Sequence, residues 1–192
     1  LIYQALGFQI PQFAHIPLIL GPDRAPLSKR HGASSVSEFK RQGYLPETMM
    51  NYLALLGWSF DDKTEIFSKD ELVKRFGLER VVKSPAAFDY EKLQWLNGQY
   101  LKNVPEDRFF QLCKEQLIES QVLTEEDFKS EEAFLKRVIA LVKGNIKLIS
   151  QVGEQMTYFL NEVESYDPAA LVKFKTPENI PVLEMAVTLI EK

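Results

Sequence analysis

The sequence predicts a mainly α-helical chain in two parts, and three observations carry that prediction. Apolar residues recur at helical spacing over most of the chain from Ser34 onward. Capping residues open those stretches and glycines close them. Strand signals are short and confined to the first hundred residues: Ile16-Pro17-Leu18-Ile19-Leu20, Ile66-Phe67 and Val81-Val82. A chain of 192 residues, 45% hydrophobic and 26% charged, has the composition of a folded domain and enough length to bury a core. No apolar run approaches the roughly 18 residues that would span a bilayer, so no membrane association is expected.

Residues 1–33 are rich in Gly and Pro and read as extended segments closed by the turn Gly21-Pro22-Asp23. Ser35 and Glu38 have capping-box spacing for a short helix that ends near Gly43. Pro46 suits a first helical position, with Met49, Met50, Leu53 and Leu56 as the apolar stripe up to Gly57. Ser68 with Glu71 opens a helix that turns Leu72, Val73 and Phe76 inward before Gly77. Asp89 caps Tyr90–Asn97, which Gly98 closes, and Trp58, Phe88 and Trp95 read as core residues. Beyond Asn103 helices are expected at Pro105–Glu119, Glu131–Lys143 and Asn145–Glu162, then from Asp167-Pro168 and from Thr176-Pro177. The last of these rests on Val182, Leu183, Ala186, Val187 and Ile190. The first residues, Leu1-Ile2-Tyr3-Gln4, carry neither an initiator Met nor a signal peptide, and read as a start inside a longer protein.

The net charge of -4 is uneven. Residues 1–100 hold 12 Lys/Arg against 11 Asp/Glu, and residues 101–192 hold 11 against 16. A local basic stretch survives in Arg24, Lys29, Arg30, Lys40 and Arg41, opposed only by Glu38, and a polyanion is expected there. The single Cys113, set among Phe109, Phe110, Leu112 and Leu117, is a buried thiol in a reducing compartment such as the cytoplasm, and no disulfide is possible within the chain. Two histidines and one cysteine, far apart, offer no metal-site spacing. Asp61-Asp62 and Glu125-Glu126-Asp127 read as turn and cap acids, not as paired catalytic carboxylates.

The chemistry concentrates in Gly21-Pro22-Asp23-Arg24-Ala25-Pro26-Leu27-Ser28-Lys29-Arg30-His31-Gly32-Ala33. Lys29 supplies a mobile point charge, Arg30 a planar donor fork, and Ser28 a hydroxyl and a backbone N–H, a set suited to phosphate. The helix that follows from about Val36 adds its positive end. By itself a Ser-Lys-Arg tripeptide in a polar loop is ordinarily a solvated turn. A P-loop is excluded, since no Gly-x-x-x-x-Gly-Lys-Ser/Thr occurs.

Pro26-Leu27-Ser28-Lys29-Arg30 resembles the Lys-Met-Ser-Lys-Ser signature of class I aminoacyl-tRNA synthetases, in the Leu-Ser-Lys-Arg form of the glutamyl branch. The likeness extends to Phe13-Ala14-His15-Ile16-Pro17-Leu18 before the loop. After it come Gly43-Tyr44-Leu45-Pro46-Glu47, Asn51-Tyr52-Leu53, Leu56-Gly57-Trp58, Phe88-Asp89, Lys92-Leu93, Trp95-Leu96-Asn97 and Tyr100. It covers about residues 8–103. The resemblance implies the tail of a Rossmann-like catalytic domain with the signature loop over 1–33, a small α/β stem-contact unit over 34–103, and a helical anticodon-binding bundle over 104–192.

It also implies ATP and glutamate as substrates and tRNA as partner, with Lys29 as the catalytic cation. Ser28, Lys29, Arg30 and Arg24 would contact the nucleotide. Magnesium would accompany ATP without a ligand among these residues, and a monomer is expected. The first signature position, usually Lys, is Pro26, so its role is lost or passes to Arg24, or Pro26 stiffens the loop. The other nucleotide motif of the family, His-x-Gly-His, is absent, and adenylate formation by this chain alone is not expected. His15 is read as structural, and His31 as a nucleotide contact or an exposed loop residue. The rivals are a glutaminyl-tRNA synthetase, whose anticodon region would be β-barrel, and a non-catalytic tRNA-binding module. The turn Lys143-Gly144-Asn145-Ile146-Lys147 reads as a helix end with flanking lysines or as a tRNA-facing edge. Members that reject glutamine tRNA are expected to place an arginine near that turn, where Gly144 stands.

Overall fold

A computed structural model describes residues 1–28, 30, 35–61, 63–161 and 168–190, without the side chains of 170 and 187–190. Among these the chain is mainly helical, as predicted. Residues 1–156 form one compact unit and residues 157–192 another. No described helix is long and apolar enough to cross a membrane.

The first unit opens with one turn of helix, α1 (Ile2–Ala5), and an extended stretch whose Phe8, Phe13, Ile16 and Leu18 are exposed. The strand expected at 16–20 is reduced to β1 (Ile19–Leu20), which pairs in parallel with β2 (Ala86–Ala87) in the register Ile19↔Ala86 and Leu20↔Ala87. Nothing local marks β2: two alanines carry little strand propensity, and only the neighbouring strand holds them extended. Ile66-Phe67 and Val81-Val82 are not strands. Phe67 is instead pinned by side chains, and Val81 makes a single bridge to Trp58.

Helix α2 (Val36–Arg41) starts where Ser35 accepts a bond from the Glu38 N–H, while the Glu38 carboxylate turns to Arg41. Gly43 then takes φ +85, and a side chain there would collide with the backbone N of Ile149 at 2.5 Å. Helix α3 (Pro46–Leu55) places Pro at its first position, where no N–H is needed. Its buried face is Leu45, Thr48, Met49 and Tyr52 with Asn51 alongside; of the predicted stripe Met49 is buried and Leu56 packs on the first core, while Met50 and Leu53 are exposed. The reason is Asn51, whose polar bonds claim a core position that hydrophobicity alone assigns to its neighbours. Helix α4 (Lys69–Arg75) has the full Ser68/Glu71 capping box and buries Leu72, but Val73 is exposed and Phe76 is only half covered, against Trp58. A seven-residue helix at the rim has only one side to bury.

Helix α5 (Tyr90–Asn103) runs through Gly98, which does not stop it. Gly98 is there for close packing: a Cβ would lie 3.3 Å from the Lys147 side chain. Leu93, Leu96, Asn97 and Leu101 follow i, i+3, i+4, i+8 spacing and are buried, so Trp95 falls on the outer face and is 40% exposed, against expectation. Trp58 and Phe88 are core residues as read. The first core gathers Phe39, Tyr44, Met49, Tyr52, Phe88, Leu93 and Leu96, with Ile19, Leu27 and Leu148 packed against it. Phe39 stacks on Phe88 at 5.7 Å between ring centres. A second core holds Trp58, Phe67 and Leu72.

Helices α6 (Glu106–Glu119), α7 (Glu125–Ser130) and α8 (Glu132–Val142) build the rest of the unit. Phe109, Phe110, Cys113, Leu117, Leu135, Val138, Ile139 and Val142 are buried where α6 packs on α8, whereas Leu141 is exposed. Asp127 and Thr124 form a reciprocal cap, and Asp61 caps the backbone of Lys63 and Thr64, so these acids are structural. Asp62 lies outside the described residues. The helix expected from Asn145 begins later, as a 3-10 turn at Ile149–Gln151 leading into α9 (Val152–Leu160), because the Lys147 carbonyl is held by Asn97 of α5 and Leu148 packs on the first core. The second unit holds the end of α9, α10 (Pro168–Phe174) and α11 (Ile180–Ile190). Val182, Leu183 and Ala186 of α11 are exposed.

Two buried asparagines organise the first unit. Asn97 accepts from the Leu45 N–H at 2.9 Å and donates to the carbonyls of Lys147 at 2.6 Å and Gly43 at 3.3 Å. Asn51 accepts from the Phe67 N–H at 2.6 Å and donates to the Glu65 carbonyl at 2.9 Å. The Tyr100 hydroxyl lies 2.5 Å from the Phe67 carbonyl and 2.7 Å from Asn51 Oδ1. The Tyr52 hydroxyl bonds both backbone groups of Asp89. Burial pushes the phenols of Tyr52 and Tyr100 up from 10.0 to about 12, and the Cys113 thiol up from 9.0 to about 12.

Asn97→Ala should lower the unfolding free energy by about 1–3 kcal/mol, since it strands buried backbone groups of three segments. Urea denaturation measures it, and a loss below about 0.5 kcal/mol contradicts the role given to Asn97. The raised phenols and thiol keep their protons in the folded state while the unfolded chain releases them above its ordinary values. Their stabilisation is therefore complete below about pH 9 and is lost as pH rises towards 12. Urea midpoints at about pH 8 and about pH 11 should fall in that order, with two tyrosines withholding phenolate absorbance until about pH 12.

Candidate functional site

Residues 19–27 form a tight hairpin. Leu27 N–H donates to the Ile19 carbonyl at 2.9 Å, Gly21 N–H to the Ala25 carbonyl at 2.8 Å, and Leu20 bridges Pro26 in antiparallel fashion. On its other side Leu20 accepts from the Phe88 N–H at 2.8 Å, so β1 is flanked by an extended segment on each edge. Position 26 needs no N–H, because the arm's bonds are made by Gly21 and Leu27. Proline therefore costs no hydrogen bond there and fixes φ in the arm that leads to Ser28.

At the tip, Arg24 N–H donates to the Gly21 carbonyl at 3.0 Å and Asp23 Oδ1 accepts from the Ala25 N–H at 2.9 Å. Arg24 itself is at φ 63 and exposed. At the base, Leu27 packs against the first aromatic core and Ser28 is half-buried. Arg30 is exposed. Lys29, His31, Gly32, Ala33 and Ser34 lie outside the described residues. The hairpin thus brings Ser28 and Arg30 to its exit and holds Arg24 at the opposite end. Three residues of the hairpin arm, Ala25, Pro26 and Leu27, separate Arg24 from Ser28. Helix α2 has six residues and contributes little positive end of its own. His15 is exposed on the extended approach to β1 and packs no core.

The exit of the hairpin is tied to the helical region by α2. Gly43 carbonyl accepts from the Ile149 N–H at 3.2 Å, and Ser150 Oγ donates to the Gln42 carbonyl at 2.8 Å. Sequence reasoning took Gly43 as a helix end and passed over Asn97, Ser150 and Asn51 as structural determinants. The available signal was an asparagine set within each apolar stripe of α3 and α5, where side-chain amides are costly unless bonded.

In the 143–147 turn, Lys143 Nζ donates to the Val104 carbonyl at 2.5 Å and sits 5.5 Å from the Phe109 ring centre. Gly144 has open space around it. The Lys147 carbonyl is the acceptor for Asn97. The turn is therefore a bonded helix end whose first lysine is engaged within the protein.

Residues 1–95 match the family model described as tRNA synthetases class I (E and Q), catalytic domain, and residues 108–192 match the anticodon binding domain. A glutamate–tRNA ligase of Caldanaerobacter subterraneus is 42% identical over 94% of this chain, and one of Dehalococcoides mccartyi is 41% identical over all of it. The crystal structure of a glutamate tRNA ligase from Elizabethkingia meningosepticum, in complex with its amino acid, covers the whole chain at 30% identity with a TM-score of 0.77. The chain spans 37% and 40% of the length of those two relatives, and 40% of that crystallised chain. With both regions matched in order along one chain, it belongs to the class I tRNA synthetases of the glutamate and glutamine type.

Proposed function

We propose that this chain is part of a glutamate–tRNA ligase. In that reading Ser28, Lys29 and Arg30 hold the phosphates of ATP while glutamate is activated, and the helices from α6 onward meet the tRNA. One observation supports it above others: a proline-stiffened hairpin, fixed on an aromatic core, leads into Ser28 and Arg30 at its exit in a chain whose relatives are glutamate–tRNA ligases. The glutamate carboxylate attacks the α-phosphorus of ATP, and the bond to pyrophosphate breaks. The Lys29 ammonium neutralises the charge that grows on the departing phosphates, with the Arg30 fork and the Ser28 hydroxyl fixing their position. The acyl group then passes from the adenylate to the terminal ribose of the tRNA. The two cations disfavour a metal ion beside them, so magnesium would enter with the nucleotide and is assigned no ligand in the loop. Glutamate is favoured over glutamine as the family branch because the described part of residues 104–192 is helical, without a strand.

Lys29→Ala in the full-length protein should cut ATP–pyrophosphate exchange by roughly 10²–10³ while sparing tRNA affinity and melting temperature. Undiminished exchange removes Lys29 from the mechanism.

The 143–147 turn supports a relaxed choice of tRNA. Gly144 offers no guanidinium, and Lys143 is held by the Val104 carbonyl, so a bidentate check on one base is missing, a term typically of about 1–3 kcal/mol. Purified glutamate and glutamine tRNAs should both be charged with glutamate by the full-length protein. Glutamine tRNA left uncharged at enzyme levels that saturate glutamate tRNA refutes this choice.

A further inference from the structure

The hairpin tip has the geometry of a three-residue loop, a turn followed by one residue in the left-handed region, and that position ordinarily belongs to glycine. Here it is Arg24 at φ 63. A Cβ in this conformation costs on the order of 1 kcal/mol, which glycine would avoid. The other described non-glycine residue with positive φ, Gln121 at 59, ends α6, where that conformation lets Gln121 and Val122 N–H groups cap the carbonyls of Ile118 and Leu117 at 3.0 Å each. No such capping explains Arg24, whose N–H bond to Gly21 any residue would make.

The side chain is what distinguishes arginine from the cheaper glycine. It is exposed, and among the described residues it has no hydrogen-bond or ion-pair partner. The tip that carries it is rigid. Pro22 and Pro26 fix φ on either side, Asp23 Oδ1 holds the Ala25 N–H, and the arms are bonded at Gly21 and Leu27. A planar five-donor cation is thus held on a preorganised support. Strain kept at an exposed residue points from structure to ligand.

The geometry points to Arg24 as a phosphate-contacting residue, at a point separate from the phosphate contact assigned above to Ser28, Lys29 and Arg30. This rests on the reading of the chain as a tRNA ligase. Arg24 stands at the hairpin tip and Ser28 at its exit, with three residues of one arm between them, so Arg24 meets a different phosphate from the one at Ser28. The chemistry is a phosphate oxyanion gripped by a guanidinium fork, and it is supplied either by the tRNA backbone or by the far end of the nucleotide.

The test compares Arg24→Gly, Arg24→Lys and Lys29→Ala in the full-length protein. Arg24→Gly should keep or raise the melting temperature, since it relieves the backbone. If the partner is tRNA, its affinity drops about tenfold, and the slope of log affinity against log salt becomes shallower by about one, as for one lost phosphate contact. If the partner is the nucleotide, the KM for ATP rises about tenfold with the tRNA salt slope unchanged. Arg24→Lys should recover part of the loss in whichever arm responds, because it restores the charge without the fork. Arg24→Gly matching the parent in both arms, while Lys29→Ala loses exchange, overturns this inference and leaves the function standing. A fall in melting temperature for Arg24→Gly also overturns it, by making Arg24 a structural residue. Both Arg24→Gly and Lys29→Ala matching the parent overturns the reading of the whole loop.

Discussion

The carboxamide of Asn97 joins three stretches of backbone that are remote in sequence: the entry to α3 through Leu45, the end of α2 through Gly43, and the approach to α9 through Lys147. An amide satisfies all three because it offers an acceptor and two donors in one plane. Gly43 completes the junction by letting the Ile149 backbone come within bonding distance, which no side chain at that position permits. Leu45 lies in the region matched to the catalytic domain and Lys147 in the region matched to the anticodon-binding domain. Asn97 therefore binds together two family regions through backbone atoms alone. Leu45 and Lys147 take part through backbone atoms, whereas the junction needs the Asn97 carboxamide itself and the missing Cβ of Gly43.

The hairpin that carries the candidate site hangs from the same frame. Ile19 and Leu27 at its base pack on the core of Phe39, Tyr44 and Phe88, and Leu148 from beyond α8 packs on that core too. The second asparagine, Asn51, extends the frame to the loop before α4 and fixes Phe67 within the Trp58 core. Interior bonds of this kind are favourable only when complete, so each amide is matched to backbone groups that would otherwise be stranded. The surface ion pairs, Glu47 with Arg108 and Glu65 with Lys92 among them, are largely solvated and add little by comparison.

Electrostatics divides the labour differently from packing. The acidic excess lies beyond residue 100, where Asp127 caps α7 and Glu125 and Asp107 pair with Lys114 and Lys136 of other helices. The cations around the hairpin stand at its two ends, with Pro26 between them serving the backbone. A proline at a signature position that usually holds lysine is thus accounted for by the hairpin's own hydrogen bonding, which leaves position 26 without a required donor.

Helix positions were legible in the sequence because caps and apolar periodicity are local: Ser35, Ser68, Asp89 and Thr124 all open helices by bonds three residues ahead. The Ser-Lys-Arg loop was legible as a motif, although Lys29 lies outside the described residues. Which face each helix buries was not fully legible. Met50, Leu53 and Trp95 are apolar yet exposed, because Asn51 and Asn97 take interior positions on the same helices and their value depends on partners 14 to 54 residues away. The pairing of Ala86-Ala87 with Ile19-Leu20, and the passage of α5 through Gly98, likewise depend on what lies alongside. Local chemistry sets where helices start and stop. Only the tertiary structure decides which polar group may be buried and which strained residue is kept, since both depend on atoms that the chain brings close by folding.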